Sequence, residues 1–358
     1  MSDYSTLEFK PDFAEAQKRW AAFWAGELLD RPLCCIRAPK EGAEQVWGPP
    51  YLAGADGNYQ PIIDQAIAAA ACTYWAGEAM PVYVPSFGPD QIAAFMGAEL
   101  RLAPGNTGTN WVEAFVDDWD AVMPLTIRED NIWWMRMQEF MRLLGEAMDG
   151  KMLVSHIDMH SNADALAAIR YPSKLCMDLV DMPEKMDEAM RQVRALFPYI
   201  YDRLYEAARM DRYGTTGWVT AYHNGKTNTI QCDFAALIGP KHFDRFVLPA
   251  LEEEANYLDH CAYHYDGPEA LCHLASVCSI EKIDIIQWVP GAAHEPFIDW
   301  MDLLKDIQSR GKKVVVYDTI ERIPIYHKEL KPDLVYYDTW ASSEKAADEM
   351  LQWLVDNT

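Results

Sequence analysis

Apolar and polar residues follow a repeating order in the second half of the chain, where short apolar runs precede amphipathic stretches. Four of the apolar runs are predicted as strands: His260–His264, Ile283–Trp288, Lys313–Tyr317 and Leu334–Tyr337. After each run the apolar residues recur at helical spacing, over residues 268–278, 297–310, 320–330 and 342–356. Strands that alternate with helices in this way are typical of β–α–β units and a parallel sheet.

Four further strands are predicted, of which Arg31–Arg37 and Pro81–Pro85 have weak patterns and Lys151–Ile157 and Gly217–Tyr222 have clearer ones. Together the two sets give eight candidate strands, which predicts an α/β chain with a (β/α)8 TIM-type barrel. Helical patterns cover residues 11–29, 61–79, 132–149, 162–170, 183–210 and 240–259. We expect one domain over 1–358, with 1–30 as an N-terminal helical elaboration. An open doubly wound sheet is the alternative, but the sequence has no glycine-rich phosphate loop.

The charge and composition of the chain exclude several classes of partner. The 358 residues include 31 Lys and Arg against 55 Asp and Glu, a net charge of −24, which argues against nucleic acid and anionic membranes as partners. The sequence has no apolar run long enough to span a bilayer and no apolar signal-peptide core near its start, so a cytoplasmic location is expected. The eight cysteines form no C-x-x-C pair and are expected to be free. The sequence leaves the oligomeric state open.

Polar side chains stand where the predicted strands end, which is where barrel enzymes place their active sites. They are His156, Asp158 and His160; His223 and Asn224; His264 and Asp266; Gln287; Asp318; and Asp338. The pair of His264 and Asp266 is the sharpest feature, because residues two apart on a strand point the same way and can reach one ligand or metal ion. The alternative is that Asp266 caps the following helix and His264 packs in the barrel mouth.

Two further positions are candidates for binding. Asp233, next to Cys232, follows no predicted strand but precedes a helix, where its carboxylate can bind a metal ion or a substrate. Arg37 ends the first predicted strand and is suited to clamp a carboxylate through its guanidinium group.

Several segments together resemble the uroporphyrinogen decarboxylase-like superfamily. They are Tyr263–Pro268 (YHYDGP), Ile283–Gly291 (IDIIQWVPG), Asp164–Arg170, the Phe243…Pro249 stretch after Ile238-Gly239-Pro240, and Trp24–Pro32. The resemblance implies a (β/α)8 barrel. It also implies either a tetrapyrrole decarboxylase or a zinc-dependent methyltransferase that passes methyl groups to corrinoids or thiols.

The resemblance also implies a metal site, but with altered ligands. In the methyltransferases a His-x-Cys-Gly element supplies two zinc ligands, and here Asp266 replaces the cysteine after His264. Gln287 stands near the place of a later acidic ligand, and Asp338 stands where the final cysteine is expected. Carboxylates suit harder ions than thiolates do, so the substitutions argue against a thiolate-rich zinc site and leave two alternatives: an oxygen-rich divalent metal site of His264, Asp266 and Asp338, or no bound metal.

The leading hypothesis is a methyltransferase-like enzyme that demethylates a small ether or amine and passes the methyl group to a corrinoid protein. The predicted catalytic residues are His264, Asp266, Asp158 and His223. The predicted substrate-binding residues are Arg37, His156, Asp233, Gln287, Trp288 and Trp218. The alternatives are a decarboxylase or lyase that holds a carboxylate at Arg37, a carbohydrate-active barrel suggested by 13 Trp, and a barrel that binds a small molecule without turnover.

Overall fold

The computed structural model describes residues 4–102, 110–291 and 294–358. In these ranges the strands are β1 (Leu33–Pro39), β2 (Thr73–Gly77), β3 (Val82–Tyr83), β4 (Glu99–Leu102), β5 (Asn110–Glu113), β6 (Leu153–Val154), β7 (Thr227–Gln231), β8 (His260–Asp266), β9 (Ile283–Val289), β10 (Lys313–Tyr317) and β11 (Val335–Trp340).

The α-helices of the same ranges are α1 (Phe13–Trp24), α2 (Gln60–Ala71), α3 (Gln91–Phe95), α4 (Trp119–Val122), α5 (Ile132–Ala147), α6 (Asn162–Arg170), α7 (Pro172–Asp181), α8 (Pro183–Arg194), α9 (Leu196–Ala207), α10 (Pro240–His242), α11 (Leu248–Tyr257), α12 (Leu274–Ser279), α13 (Met301–Ser309), α14 (Ile323–Glu329) and α15 (Glu344–Asn357). A π-helix, Phe243–Val247, joins α10 to α11. Short 3-10 helices are Asp233–Leu237, Pro268–His273, Phe297–Trp300, Ile320–Arg322 and Pro332–Leu334.

Seven strands form one sheet in the order β2-β1-β11-β10-β9-β8-β7. Neighbouring strands are parallel except β1 and β2, so β2 is an antiparallel edge strand. Strands β3 and β6 form a separate parallel pair, and β4 and β5 form an antiparallel hairpin. Helices connect the successive parallel strands from β7 to β11, as parallel pairing requires. The chain therefore has a mixed α/β fold.

The strand ladders of the described residues do not join into a closed ring, because β3 and β6 pair only with each other. The residues after β6 are joined to the β7 region by isolated hydrogen bonds: His156 N donates to Thr216 O at 2.9 Å, and the Asn228 side chain of β7 donates to Ile157 O at 3.3 Å. The structure thus confirms the α/β class with its largely parallel sheet, whereas the complete barrel stays a prediction.

One predicted strand, Gly217–Tyr222, is wrong. This segment is irregular, and the strand of this region is β7. The segment lies against β7, since Val219 N donates to Thr229 Oγ1 at 3.2 Å and a Cβ atom on Gly217 would come within 2.5 Å of Thr229 N. Its apolar side chains Val219, Ala221 and Tyr222 are buried in a cluster with residues of α1 rather than by strand pairing.

Some predicted helices are shorter than their sequence patterns. The pattern over 61–79 ends as helix at Ala71, because residues 73–77 pair with β1 as strand β2. The pattern over 183–210 is divided at Ala195 into α8 and α9. No helix in the described ranges is both long and apolar enough to cross a membrane.

Alternate residues of the parallel strands face two different cores, as the strand period of two requires. One set packs beneath the helices and includes Ile286, Val314, Val316 and Val335. The other set forms a second, smaller core with α1 and includes Ala262, Ile285, Val315 and Tyr336. We call the surface that carries this second set the inner face of the sheet.

Helix α1 covers the inner face at the amino ends of the strands. Trp20 packs edge-on against Tyr336 with ring centroids 5.3 Å apart, and Trp24 stacks on His260 at 4.4 Å. Tyr336 and His260 stand near the starts of β11 and β8. The polar residues of the inner face therefore lie beyond this aromatic layer, at the carboxyl ends.

A buried ion pair joins the start of β1 to the residue after β2. Arg31 Nη1 and Nη2 donate to the two carboxylate oxygens of Glu78 at 2.8 and 2.7 Å, and Cys34 N donates to Glu78 Oε2 at 2.8 Å. Both side chains are buried. Removal of one partner from such a pair leaves the other charge buried without compensation.

We expect Glu78→Ala to lower the free energy of unfolding by about 3–5 kcal/mol, because Arg31 and Cys34 N both lose their acceptor. The matched control is Glu139→Ala, which removes an exposed partner of Arg142 and should cost less than about 1 kcal/mol. Urea denaturation of the three proteins measures both values. Equal small losses in the two variants would show that the buried pair contributes no more than a surface pair.

Candidate active site

The carboxyl end of β8 carries two polar side chains on the inner face, His264 and Asp266. His264 lies beside Gln231 of β7 and Gln287 of β9 in the sheet register. Its Nδ1 is hydrogen-bonded to Oε1 of Gln287, and because a carbonyl oxygen only accepts, Nδ1 carries the proton. The other ring nitrogen, Nε2, is then an acceptor or a metal ligand. The Trp218 ring packs edge-on against the imidazole at 4.9 Å.

Asp233 completes a cluster with these two residues. It begins the 3-10 helix that directly follows β7, and single ligand atoms of Asp233, His264 and Asp266 all lie within 4.8 Å of one another. Burial raises the pKa of Asp266, although His264 acts in the opposite direction. We call these three residues the triad. One imidazole and two carboxylates at this spacing can hold a divalent cation or share a proton.

Next to the triad, one imidazole is surrounded by carboxylates. His160 Nε2 lies 3.2 Å from Asp158 Oδ2, and its Nδ1 lies 3.8 Å from Asp164 and 3.9 Å from Asp233. Burial opposes the charge of His160, but the three carboxylates outweigh it and raise the pKa of His160 to about 10. His160 is therefore an imidazolium at neutral pH.

Asp164 fixes the backbone that carries Asp233. Its carboxylate accepts hydrogen bonds from Asp233 N at 3.0 Å and from Phe234 N at 2.8 Å, at the start of the 3-10 helix. Burial raises the pKa of Asp164, and the nearby Asp233 acts in the same direction. This contact ties the first turn of α6 to the residues after β7.

A buried glutamate, Glu254, is hydrogen-bonded to the residues at the start of α6. Glu254 of α11 accepts hydrogen bonds from Ser161 Oγ at 2.7 Å and from the Asn162 side chain, which also donates to Gln231 O at 3.0 Å. Burial raises the pKa of Glu254 to about 8. The carboxyl group is thus mainly protonated at neutral pH.

A cavity of about 510 Å³ opens beside His160 and shares Asp233 with the triad. Three carboxylates, from Asp90, Asp164 and Asp233, stand in its wall together with the aromatic rings of Trp111, Tyr171 and Phe234. Its volume lies within the range of small-molecule pockets. The site therefore combines a possible ligand cluster with room for an organic molecule.

Arg37 and Asp338 lie at the carboxyl ends of β1 and β11, but they are bonded to each other. Arg37 Nη2 donates to Asp338 Oδ1, and Thr220 Oγ1 donates to Asp338 Oδ2 at 3.0 Å. The Arg37 guanidinium also lies over the Trp340 ring. Asp338, expected as a metal ligand, is instead the counterion of Arg37 and is outside the triad.

Three other predicted site residues lie away from the triad. His156 is fully buried and stacks on Tyr201 at 4.2 Å, and burial lowers its pKa to about 4. His223 packs against His260 at the amino end of β8, which is the opposite end from His264. Trp288 is buried against Tyr265, because it alternates with Gln287 and faces the helices.

The sequence patterns did not predict the whole site. His160 lies two residues before α6 and Asp164 lies in its first turn, so their contact depends on how the chain enters the helix, which local periodicity does not show. Asp90 and Trp111 lie in the stretch 86–130, where turns and short strands gave no clear periodicity. Nothing in the sequence indicated that Glu254 is buried near the site, since a single glutamate in an amphipathic helix is ordinarily exposed.

The sequence matches no known protein-family model, and it matches no curated protein. Among solved structures, the fold is similar to that of a methyltransferase from Methanosarcina mazei, with a TM-score of 0.60. The sequences are 12% identical, and the superposition covers 95% of this chain and 98% of the methyltransferase. At this identity the similarity establishes a shared fold over nearly the full length of both chains.

We expect Glu254→Gln to change how stability depends on pH. An unfolded glutamate ionises near its ordinary pKa of about 4.3, whereas Glu254 in the folded chain keeps its proton until about pH 8. The stability that this proton supports is present at low pH and is lost as pH rises through 8. Glutamine keeps an oxygen for Ser161 and Asn162 and does not ionise, so the variant should gain on the order of 3 kcal/mol relative to wild type between pH 5 and pH 8.

Urea denaturation at pH 5 and pH 8 measures this difference. The matched control is Glu253→Gln, one residue earlier on the same helix, whose half-exposed carboxylate pairs with Arg194. The control should follow the wild-type pH dependence to within about 1 kcal/mol. Parallel pH profiles for Glu254→Gln and wild type would mean that Glu254 is ionised in the folded chain.

Proposed function

We propose that this chain is a methyltransferase-like enzyme, which removes a methyl group from a small methylated substrate and passes it to a corrinoid protein or a similar acceptor. The observation that carries the proposal is the convergence of Asp233, His264 and Asp266 at the carboxyl ends of β7 and β8. The fold similarity to a methyltransferase over 95% of the chain supports the same reading.

The proposal includes the closed barrel. The two parallel sheets would be two arcs of one eight-stranded ring made of β1, β3, β6, β7, β8, β9, β10 and β11. The hydrogen bond from the Asn228 side chain of β7 to Ile157 O, shortly after β6, supports this on one side of the β3–β6 pair. On the other side, residues 35–39 of β1 pair with the antiparallel strand β2, so the ring would have to close at the residues of β1 before Cys35. The carboxyl ends of all eight strands would then surround the triad.

The triad fits a divalent cation better than a thiolate zinc site. Its donors are one imidazole nitrogen and two carboxylates, and Gln287 orients the imidazole through Nδ1, as a supporting residue does in metal sites. The neighbouring Cys232 is fully buried, and burial raises the pKa of its thiol well above the ordinary value. A bound cation would supply Lewis-acid polarisation of the leaving heteroatom.

The residues of the chain hold the reacting groups in place. Asp164 fixes the turn that presents Asp233, and Gln287 fixes the His264 ring. Methyl transfer would leave the carbon–heteroatom electron pair on the heteroatom, which takes up a proton, and a reduced corrinoid or similar nucleophilic acceptor would provide the electron pair for the new bond to carbon. Where no cation is bound, Asp266 holds that proton, since burial raises its pKa.

A decarboxylase that clamps its substrate at Arg37 is less compatible with the structure. The Arg37 guanidinium is already bonded to Asp338. A substrate carboxylate that bound Arg37 would have to displace Asp338, and this buried carboxylate would then be left without its positively charged partner.

We expect wild-type protein purified without chelator to contain a stoichiometric divalent cation, and His264→Ala/Asp266→Ala to contain none. The control is His242→Ala/Asp244→Ala, which removes a His-x-Asp pair with the same spacing from α10 and the π-helix, away from the triad. Elemental analysis and circular dichroism on the three proteins measure metal content and fold. A cation retained by the triad variant would contradict the ligand assignment.

The same proteins test the reaction. Wild type and the control variant should convert a reduced corrinoid to its methylated form, followed by its absorption spectrum, with a methyl ether or methylamine from a substrate panel. The triad variant should lose at least about 100-fold in rate, the usual effect of removing a positioned catalytic group. Equal rates in the triad and control variants would overturn the proposed function.

A further inference from the structure

The cavity beside His160 has an unusual charge balance. Asp90, Asp164 and Asp233 stand in its wall, and Asp158 lies directly behind His160. The wall residues that the structure describes include no lysine or arginine, and the one cationic group is the His160 imidazolium. Four carboxyl groups surround this one imidazolium. Burial raises the pKa of Asp90 and of Asp164, which reduces the charge that these two carry, but the carboxyl groups still outnumber the one cationic group, and the resulting negative potential favours a positively charged occupant.

One carboxylate oxygen of this group has no partner. Asp158 is 8% exposed, and its Oδ2 pairs with His160, but its Oδ1 is buried without a hydrogen bond to any described residue. A buried carboxylate oxygen without a partner is costly, and a nearby cation reduces that cost. Among the described residues, the charge of Asp158 next to His160 is therefore incompletely balanced.

The remaining wall is aromatic and apolar. Trp111 and Tyr171 are about half exposed, whereas Phe234 is buried. The Lys174 ammonium already lies over the Tyr171 ring, so Trp111 is the exposed ring on which the argument rests. Aromatic faces attract organic cations and are suited to methylated ammonium groups, whose charge is spread over apolar methyl groups. A cavity of about 510 Å³ is also far larger than a bare metal ion needs.

We propose that this cavity binds the ammonium group of a cationic, N-alkylated substrate. Asp233 lies in the cavity wall and belongs to the triad, so a substrate held here extends past Asp233 and brings its methyl-bearing heteroatom to His264. The cation site thus defines the substrate class of the proposed methyl transfer, and the chemistry at His264 rests on that proposed function. Binding of the cation, by contrast, can be measured without turnover.

The test compares choline with 3,3-dimethylbutan-1-ol, which has the same shape but no charge. Isothermal titration of the full chain should show choline binding at least about 10-fold more tightly than the neutral isostere, a difference that a desolvated cation–aromatic and carboxylate site supplies. Asp90→Asn should weaken choline binding about 3- to 10-fold, since this carboxylate lines the cavity and makes no side-chain cap to α3. Trp111→Ala should have a similar effect.

Two controls match these variants. Trp47→Ala removes another exposed tryptophan outside the cavity, and Asp187→Asn removes a surface carboxylate that pairs with Arg245. Both should bind choline like wild type. Equal affinity of choline and the neutral isostere would overturn the proposal, and so would binding of Mn²⁺ in the cavity, sensitive to Asp90→Asn, without binding of choline.

The proposal and the proposed function fail in different ways. Methyl transfer from a neutral ether by a wild-type chain that does not bind choline would overturn the cation site and leave the methyltransferase function standing. Choline binding retained in His264→Ala/Asp266→Ala, together with equal transfer rates in wild type and that variant, would support the cation site and overturn the role of the triad.

Discussion

The period of two along parallel strands is the constraint on which this structure depends. It sends one set of side chains beneath the helices and the other to the inner face, where α1 covers the amino ends. Consecutive residues therefore have opposite surroundings. Gln287 reaches His264, whereas its neighbour Trp288 packs against Tyr265 under the helices.

Electrostatic balance is the second organising factor, because several carboxylates are buried close together. The His160 imidazolium offsets part of this charge, and a proton on Glu254 removes another negative charge behind the site. Backbone amides at the start of the 3-10 helix stabilise Asp164. The remaining negative charge faces the cavity and the triad, where it can stabilise a bound cation or a proton on a carboxyl group.

The sequence correctly predicted those strands and helices whose local apolar pattern matches their position in the folded chain. Strands β8 to β11 are continuous apolar runs that end in polar residues, and the placement of His264 and Asp266 on one face follows from their spacing. Strand β7 was missed because its residues, Thr227–Gln231, are mostly polar, yet all are buried and hydrogen-bonded by their surroundings. The apolar Gly217–Tyr222 was mistaken for a strand because burial alone does not distinguish packing from pairing. Contacts such as Arg37 with Asp338, 301 positions apart, leave no trace in local periodicity.

The position of α1 has a consequence for how the chain is made. Its aromatic residues pack on Tyr336, and β1 pairs with β11, so one part of the surroundings of α1 and β1 is completed only after β11 has been synthesised. Contacts between segments far apart in the sequence form slowly, since a long loop must be ordered before they form. Until β11 is made, Trp20 and Phe23 lack the Tyr336 ring that they pack against, which leaves an aromatic surface on this helix open to contact with other chains during synthesis.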